Sequence, residues 1–221
     1  MTEKIMKNRI PQKIFLYILG LFILAFGVAM SINSRLGVSP VNSIPYIISR
    51  IFNTDPGWWT TGMFVLFILI QIAILRKEFR LFDIVQIVFA TFFGIFLDFT
   101  LWLQGGFQIP TYLGQMAMLA MSIILIATGL VFIITAKIVA LPPEALCITI
   151  ASKIDKKFHN VKIVVDSSLV IIAISLSLIF LGGVDGIREG TVLSAILIGK
   201  AIPIIKKALT PLLRLAYGEE Q

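Results

Sequence analysis

Two short apolar segments carry the polar residues that are best placed to bind a ligand. The first, LGVSPVNS at residues 36–43, places a proline where a helix begins and three polar side chains around it. Serine is favoured at the helix cap and proline at the first helical position, so Ser39 is expected to cap the free amides. Those amides and the positive end of the helix dipole suit an anion or a carboxylate. We therefore predict that Ser39, Asn42 and Ser43 bind an anionic group; the alternative is a proline-kinked interfacial helix whose polar residues only satisfy its backbone.

The second segment, ALPPEAL at residues 140–146, has a carboxylate where the first segment has Asn42. Glu144 falls in the first turn of a helix predicted to begin at Pro142, where the helix dipole stabilises a negative charge without any ligand. Within a membrane, however, a carboxylate is costly and by default marks the path of an ion, a proton or a substrate. We predict that Glu144 binds a cationic group of the substrate or a coupling proton, with helix capping as the alternative.

Other ionisable residues interrupt the apolar runs that follow. Asp166 and Lys200 would neutralise each other as an ion pair, so we predict a structural pair between their helices and keep both as candidates for coupling or gating. Arg35 is a third such candidate. It and Lys137 lie at equivalent positions beside the two short segments, where extension of the side chain to a lipid headgroup is the simpler interpretation. Asp98, near the end of its run, is compatible with either an exposed or a functional position.

Motifs of established catalytic sites are absent. The chain has one histidine and one cysteine, no His-Glu-x-x-His pair, no Gly-x-Ser-x-Gly turn and no phosphate-binding glycine loop. Cys147 cannot form an internal disulfide. We therefore expect no enzyme, no cofactor and no metal site.

The composition indicates which elements must position these residues. Hydrophobic residues make up 58% of the 221 and charged residues 14%, against about 25% charged residues in a soluble domain. Mean hydropathy is +0.98. These values exclude an ordinary soluble enzyme, a disordered chain and a nucleic-acid module, and the net charge of +7 is attributed to lysines and arginines at one membrane face. The sequence predicts an integral membrane protein.

Six apolar runs are long enough to cross a bilayer, which takes about 20 residues per helix. They are Ile14–Ser34, Pro56–Leu75, Leu81–Leu103, Thr111–Ala136, Val161–Leu181 and Gly190–Ile205. Two further runs, Leu36–Ser49 and Ile138–Ser152, leave only about 10–12 helical residues after their prolines, roughly half a membrane thickness. We therefore predict six spans and two short helices.

A weak internal repeat relates the two halves at an offset of 102 residues. Its identities pair Ala25, Gly27, Ile32, Pro40 and Ile48 with Ala127, Gly129, Ile134, Pro142 and Ile150. The order of long and short runs is also the same in both halves. We predict one membrane domain over residues 1–221, with repeats at about 12–104 and 111–208.

The distribution of positive charge predicts how the two copies are oriented. If each short segment enters and leaves by one face and the N-terminus is cytoplasmic, 15 lysines and arginines lie inside: Lys4, Lys7, Arg9, Lys13, Arg76, Lys77, Arg80, Lys137, Lys153, Lys156, Lys157, Lys162, Lys206, Lys207 and Arg214. Arg35, Arg50 and Arg188 lie outside. If the short segments crossed, 12 would lie inside and six outside, so the positive-inside rule favours re-entrant segments. Three spans per copy make the repeat inverted.

Three motifs carry a family resemblance: FG at 26–27 continuing to RLGVSP at 35–40, LPPE at 141–144, and the glycine-rich stretch 182–190 before the last apolar helix. On these motifs the sequence resembles the YczE/YitT-like group of small bacterial membrane proteins over nearly its whole length. That group tends to have more glycines before the final helix than the REGT found at 188–191. The resemblance implies a bacterial inner-membrane protein with transporter-like architecture.

Together these observations predict an all-α polytopic membrane protein of two inverted repeats, each with three transmembrane helices and a proline-led re-entrant helix. The expected function is secondary transport of a small charged or zwitterionic molecule by alternating access, with coupling to an ion or proton left open. A non-transporting accessory or assembly protein and a channel are the alternatives. Expected partners are the lipid bilayer and a small-molecule substrate, not nucleic acid, and a homodimer stays open. We expect the bacterial cytoplasmic membrane, with both termini cytoplasmic.

Overall fold

A computed structural model describes the backbone of residues 10–79, 81–156, 158–184 and 186–217, and all their side chains except those of 81, 82, 159 and 212–217. Several basic residues used in the charge count therefore lie outside the description: Lys4, Lys7, Arg9, Arg80, Lys157 and the side chain of Arg214.

The described residues form helices and no strands. The α-helices are α1 (Ile10–Asn33), α2 (Pro40–Phe52), α3 (Pro56–Leu75), α4 (Val85–Gln104), α5 (Tyr112–Ala136), α6 (Pro142–Lys153), α7 (Phe158–Leu181) and α8 (Glu189–Tyr217). Two short 3-10 turns, Arg76–Glu78 and Leu81–Ile84, connect α3 to α4. The all-helical prediction is confirmed over this part of the chain.

Five helices of the described chain are long and apolar enough to cross a membrane. These candidate spans are Ile10–Asn33, Pro56–Glu78, Val85–Gln104, Tyr112–Ala136 and Asn160–Leu181. They correspond to five of the six predicted runs. The sixth run lies within α8, which is not among the five and carries Lys200, Lys206 and Lys207.

The two predicted short helices are α2, with 13 residues, and α6, with 12. Each begins at a proline. The preceding residues, Ser39 (φ −60°, ψ 148°) and Leu141 (φ −62°, ψ 148°), are both extended, as expected before proline because its ring disfavours a helical neighbour. At ~1.5 Å per residue the two helices are about 20 and 18 Å long, well short of the ~30 Å hydrocarbon core.

The centre of the protein is the antiparallel packing of α1 against α5. Gly27 lies against Ile126, Leu24 against Gly129 and Gly20 against Ile133, so the two helices run in opposite directions. A Cβ atom on Gly129 would lie 2.7 Å from both the Gly20 carbonyl oxygen and the Leu24 amide nitrogen. The glycines therefore permit a helix approach that side chains would prevent.

The other long helices surround this pair. Helix α4 packs on α1, and α8 packs on α5. The short helices α2 and α6 each pack against both α3 and α7. Large side chains such as Tyr17, Leu21, Phe93 and Leu97 fill the core between these layers. This arrangement places the beginnings of both short helices inside the helical bundle.

Candidate functional site

Glu144 lies in the first turn of α6, as predicted, and is part of a charged cluster. Its Oε1 atom is 3.9 Å from the Nζ atom of Lys162 on α7. Its Oε2 atom is buried and has no hydrogen-bond partner. An unpaired buried carboxylate oxygen is costly, so this oxygen is the position in the cluster that is still available to a binding partner.

Lys162 completes the cluster by lying between two carboxylates. Its ammonium group donates a hydrogen bond of 3.1 Å to Oδ1 of Asp166, one helical turn further along α7. The exposed fractions of the side chains are 23% for Glu144, 27% for Lys162 and 13% for Asp166. The three groups are therefore mostly buried within the protein but keep some accessible surface. We call Glu144, Lys162 and Asp166 the charged cluster.

The predicted ion pair between Asp166 and Lys200 is wrong. Asp166 pairs with Lys162 because residues four apart on a helix share a face. The side chain of Lys200 on α8 is exposed instead. The sequence placed Lys162 in a cytoplasmic loop, although α7 already begins at Phe158, and the spacing to Asp166 was the signal that could have identified it.

Neutral polar groups from three other helices lie around the start of α6. Gln71 of α3 donates a hydrogen bond of 3.2 Å to the Pro142 carbonyl oxygen, and its amide faces that of Gln86 of α4 at 3.5 Å. Both glutamines are buried. The Tyr17 phenol of α1 interacts electrostatically with Glu144, and its hydroxyl is buried without a partner. Sequence reasoning missed these residues, although two glutamines within apolar runs were a visible signal.

The start of α6 lies closer to one end of the bundle than to its middle. Gln71, which contacts Pro142, is about one turn before the end of α3. At the other end of α6, Lys153 forms a salt bridge of 2.8 Å with Glu78, just after α3. Both ends of the short helix therefore lie beside the same end of α3, which places the charged cluster toward that end of the bundle.

In the first segment, residues 36–43, most polar side chains form hydrogen bonds within the segment itself. Ser39 makes no capping hydrogen bond from its side chain, contrary to the prediction. Its hydroxyl accepts a hydrogen bond of 2.9 Å from the Asn42 amide, because that side chain reaches back one turn. The Ser43 hydroxyl donates to the Pro40 carbonyl oxygen at 2.6 Å. All three side chains are buried, and only Oδ1 of Asn42 has no partner.

The backbone that leads into α2 is bound to the loop before α8. The Val38 amide donates a hydrogen bond of 2.8 Å to the Gly186 carbonyl oxygen. The Gly190 amide donates one of 2.7 Å to the Leu36 carbonyl oxygen. Gly37 has a φ of +124°, and a Cβ atom there would collide with the Thr191 hydroxyl. Only glycine fits both conditions. The first segment is thus closed, whereas the charged cluster is partly open.

Arg35 lies outside both groups of residues. Its exposed side chain lines a surface cleft of about 420 Å³ with Gln108, Ile109, Pro110 and Gln115. Its carbonyl oxygen accepts a hydrogen bond of 3.3 Å from Arg188. The structure therefore associates Arg35 with a surface of the bundle and does not join it to the charged cluster.

Asp98 has a structural partner. Its Oδ1 atom accepts a hydrogen bond of 2.7 Å from the Gly57 amide in the first turn of α3. A carboxylate at that position satisfies a free amide and interacts favourably with the helix dipole. Asp98 therefore joins α4 to the beginning of α3. Because it lies outside the charged cluster, it is a suitable control carboxylate.

Comparison with known proteins assigns the chain to a family. The sequence profile of a family described as "Family of unknown function (DUF6198)" matches residues 11–207. The chain belongs to this family. It is also 27% identical over 198 residues to the "Uncharacterized membrane protein YczE" of Bacillus subtilis (strain 168), covering 88% of this chain and 85% of the relative. No solved structure matches significantly.

These comparisons confirm the resemblance to YczE-like membrane proteins. The region shared with the DUF6198 family contains both proline-led helices and every residue of the charged cluster. A membrane protein is thus supported by the relative, by the composition and by the five candidate spans.

Proposed function

We propose that this DUF6198 protein is a secondary transporter of a small charged or zwitterionic molecule. The observation that carries the proposal is the charged cluster beside a proline-led helix in an otherwise apolar bundle. Charged side chains within a membrane protein are costly and usually mark a path for a substrate or an ion. A protein that only had to fold and to bind a partner would not need three of them with accessible surface within the bundle.

The cluster suits a zwitterion because it offers both signs of charge. Glu144 and Asp166 can bind an ammonium group, and Lys162 can bind a carboxylate. The gap of 3.9 Å between Glu144 and Lys162 is longer than a hydrogen bond, so this ion pair is the weaker of the two. Ser39, Asn42 and Ser43 stay substrate-binding candidates through the unpaired oxygen of Asn42.

The architecture proposed for this transporter is an inverted repeat. Backbone features recur at the offset of 102 residues: Arg35 and Lys137 have φ values of 60° and 50°, and Asn53 and Asp155 have values of 53° and 50°. The equivalent helices α1 and α5 pack antiparallel, and the contact of Gly27 with Ile126 has its counterpart in Gly129 with Leu24. These correspondences support two inverted copies of one unit, as in many secondary transporters.

Helix packing supports the same proposal. The contact of α1 with α4 corresponds to that of α5 with α8, and the contact of α2 with α7 corresponds to that of α6 with α3. One departure among the described residues is that α3 packs closely on α4, whereas α7 and α8 do not pack closely on each other. The looser α7–α8 side gives the second copy more freedom to move against the first.

A re-entrant α6 is supported by the two contacts that place both of its ends beside the same end of α3. A helix that crossed the membrane would separate its ends by the thickness of the bilayer. We propose the same arrangement for α2 at the opposite face. With the N-terminus inside, this gives both termini on the cytoplasmic side of a bacterial membrane.

Alternating access requires the two sides of the bundle to open in turn, and different contacts hold the two sides. Three hydrogen bonds join residues 35–38 to the loop at 186–190 on the proposed outer side. The proposed inner side is held by the exposed salt bridge between Lys153 and Glu78, and exposed pairs contribute only about 0–1 kcal/mol. The contacts on the proposed outer side are therefore the stronger ones, and we propose that the inner side opens more readily.

The test begins with a thermal-shift screen of purified protein against metabolites, because a ligand that binds only the folded state raises its melting temperature. Compounds that bind are then assayed for uptake into proteoliposomes. We expect Glu144→Gln to lose both the thermal shift and the uptake. Asp98→Asn is the matched control, because Asp98 is a carboxylate of the same bundle outside the charged cluster and asparagine keeps an oxygen that can accept from the Gly57 amide. If no metabolite is taken up by the wild-type protein although it is folded, an accessory role replaces the transporter.

A further inference from the structure

We propose that the charged cluster binds one proton, on Glu144, and that this proton is the coupling ion of the transporter. The role of the proton as a coupling ion rests on the proposed function. The proton-binding site itself follows from the contacts of the charged cluster. It assigns separate roles to the two carboxylates, which the sequence could not distinguish.

The charge of the cluster leaves room for one more positive charge. With two ionised carboxylates and one ammonium group, Glu144, Asp166 and Lys162 sum to −1. A net charge in a mostly shielded position of an apolar bundle is costly. Addition of one proton converts a carboxylate to a carboxylic acid and brings the sum to zero, so the cluster has a favourable neutral state that differs by a single proton.

Geometry indicates which carboxylate takes the proton. The Lys162 ammonium donates a hydrogen bond to Asp166 at 3.1 Å and lies 3.9 Å from Glu144. A carboxylate that accepts a hydrogen bond from an ammonium group is stabilised in its ionised form. Lys162 therefore stabilises the ionised form of Asp166 more than that of Glu144, which has a longer ion pair and an Oε2 atom without any partner. The proton binds to Glu144.

The Tyr17 hydroxyl is a candidate hydrogen-bond acceptor for the protonated carboxyl group of Glu144. The Tyr17 hydroxyl is buried, lacks a partner and belongs to a phenol that interacts with Glu144. A phenolic oxygen can accept a hydrogen bond from a protonated carboxyl group. On α6 itself, Cys147 also interacts electrostatically with the cluster.

Other neighbouring helices add few charges to the cluster. Helices α3 and α4 contribute the neutral amides of Gln71 and Gln86. Glu78, beyond the end of α3, is neutralised by Lys153. Helix α2, which packs on α7, carries Tyr46 and Arg50. A bound proton is thus governed mainly by Lys162 and Asp166.

Lys162 also explains the preference for a proton over a metal cation. No group of three or more histidine, cysteine, aspartate or glutamate side chains in the described residues is arranged to hold a metal ion. The position between the carboxylates is occupied by the Lys162 ammonium, so a metal ion would find no site with several carboxylate ligands, whereas a proton needs only the unpaired Oε2 of Glu144. Lys162 is therefore a permanent counter-ion, and it determines the charge of the ion that can bind.

The proton can be observed directly by infrared difference spectroscopy of the full-length protein in lipid nanodiscs, without any substrate. On acidification we expect a carbonyl band of a protonated carboxylic acid that shifts in deuterium oxide. The band should disappear in Glu144→Gln. In Asp166→Asn it should persist but appear at a lower pH, because Lys162 is then free to pair with Glu144 and stabilises its ionised form. The matched control is Asp98→Asn, because Asp98 is a carboxylate of the same bundle outside the cluster.

A second variant keeps the test decisive if Glu144→Gln does not fold. Lys162→Met retains both carboxylates but removes the counter-ion, so the band should appear at a higher pH than in the wild-type protein. A band that disappears in Asp166→Asn, or that is unchanged in Lys162→Met, would overturn the proposal.

Sodium binding is distinguished by melting temperatures in sodium, potassium and choline chloride at equal ionic strength. We expect no difference between the three salts, and a rise in sodium alone that Glu144→Gln abolishes would replace the proton by a sodium ion. Because these measurements need no substrate, their failure leaves the uptake assay able to support a transporter that is not coupled to protons. Conversely, a proton site without any uptake would refute the transporter alone.

Discussion

At the scale of single residues, the polar groups of the candidate site form connected networks and are not isolated from one another. Polar groups near α6 are connected across helices: Lys162 of α7 lies near Glu144 of α6, and Gln71 of α3 contacts Pro142 of α6 and Gln86 of α4. Such networks are stable only while most members are satisfied. The few unpaired atoms, Oε2 of Glu144 and the Tyr17 hydroxyl, are therefore where a ligand or a proton would gain most.

The buried glutamine pair yields a prediction on stability. Replacement Gln71→Leu removes the donor to the Pro142 carbonyl oxygen and leaves the Gln86 amide unpaired in an apolar core. An unsatisfied buried polar group costs about 1–3 kcal/mol, so the variant should melt at a lower temperature. The double variant Gln71→Leu, Gln86→Leu should recover part of that loss, because no amide is then left unpaired. If the two single effects simply add, the amides do not interact.

At the scale of elements, glycine determines how the long helices meet. The backbones of α1 and α5 approach so closely at Gly20, Gly27 and Gly129 that no side chain fits between them. The short helices are governed instead by proline, which fixes where α2 and α6 begin. Close packing of the central pair provides a rigid frame against which the short helices can be positioned.

Replacement Gly129→Ala tests this close approach. Its Cβ atom would lie 2.7 Å from backbone atoms of α1, which cannot rotate away. Overpacking of this kind costs about 1–3 kcal/mol, so the melting temperature of the purified protein should fall. The matched control is Gly62→Ala in α3, where a Cβ atom meets nothing within 4 Å. Alanine there should be neutral or stabilise the helix by about 0.5–1 kcal/mol, and equal effects at the two sites would contradict a special role for the α1–α5 contact.

At the scale of the whole molecule, the two faces are held by contacts of different strength. Backbone hydrogen bonds close the face beside residues 35–38, and an exposed salt bridge holds the face beside Lys153. An inverted architecture makes such an asymmetry reversible, because each copy can adopt the conformation of the other. The topology of the chain is therefore the property on which the proposed mechanism depends.

Cysteine labelling tests that topology. In a Cys147→Ser background, Lys77→Cys and Asp155→Cys should react with a membrane-impermeant reagent only from the cytoplasmic side. Thr54→Cys and Phe107→Cys should react only from outside. This pattern follows from six spans and two re-entrant helices, because the loops at 76–80 and 153–160 then lie on the same face. External labelling of Lys77→Cys would refute the re-entrant arrangement and restore eight spans.

The sequence by itself determined the membrane class, five candidate spans, the two short helices and the position of Glu144 in the first turn of α6. These features depend on local properties, namely runs of apolar residues and the constraints of proline, and the resemblance to YczE-like proteins followed from local motifs as well. Only the tertiary structure decided which charges meet. Asp166 lies beside Lys162 and Lys200 faces outward because the rotation of each helix about its axis is set by packing. For the same reason Tyr17, Gln71 and Gln86, which are distant in sequence, converge on α6: composition fixes that a helix is buried, and contacts between helices fix which of its sides meets the site.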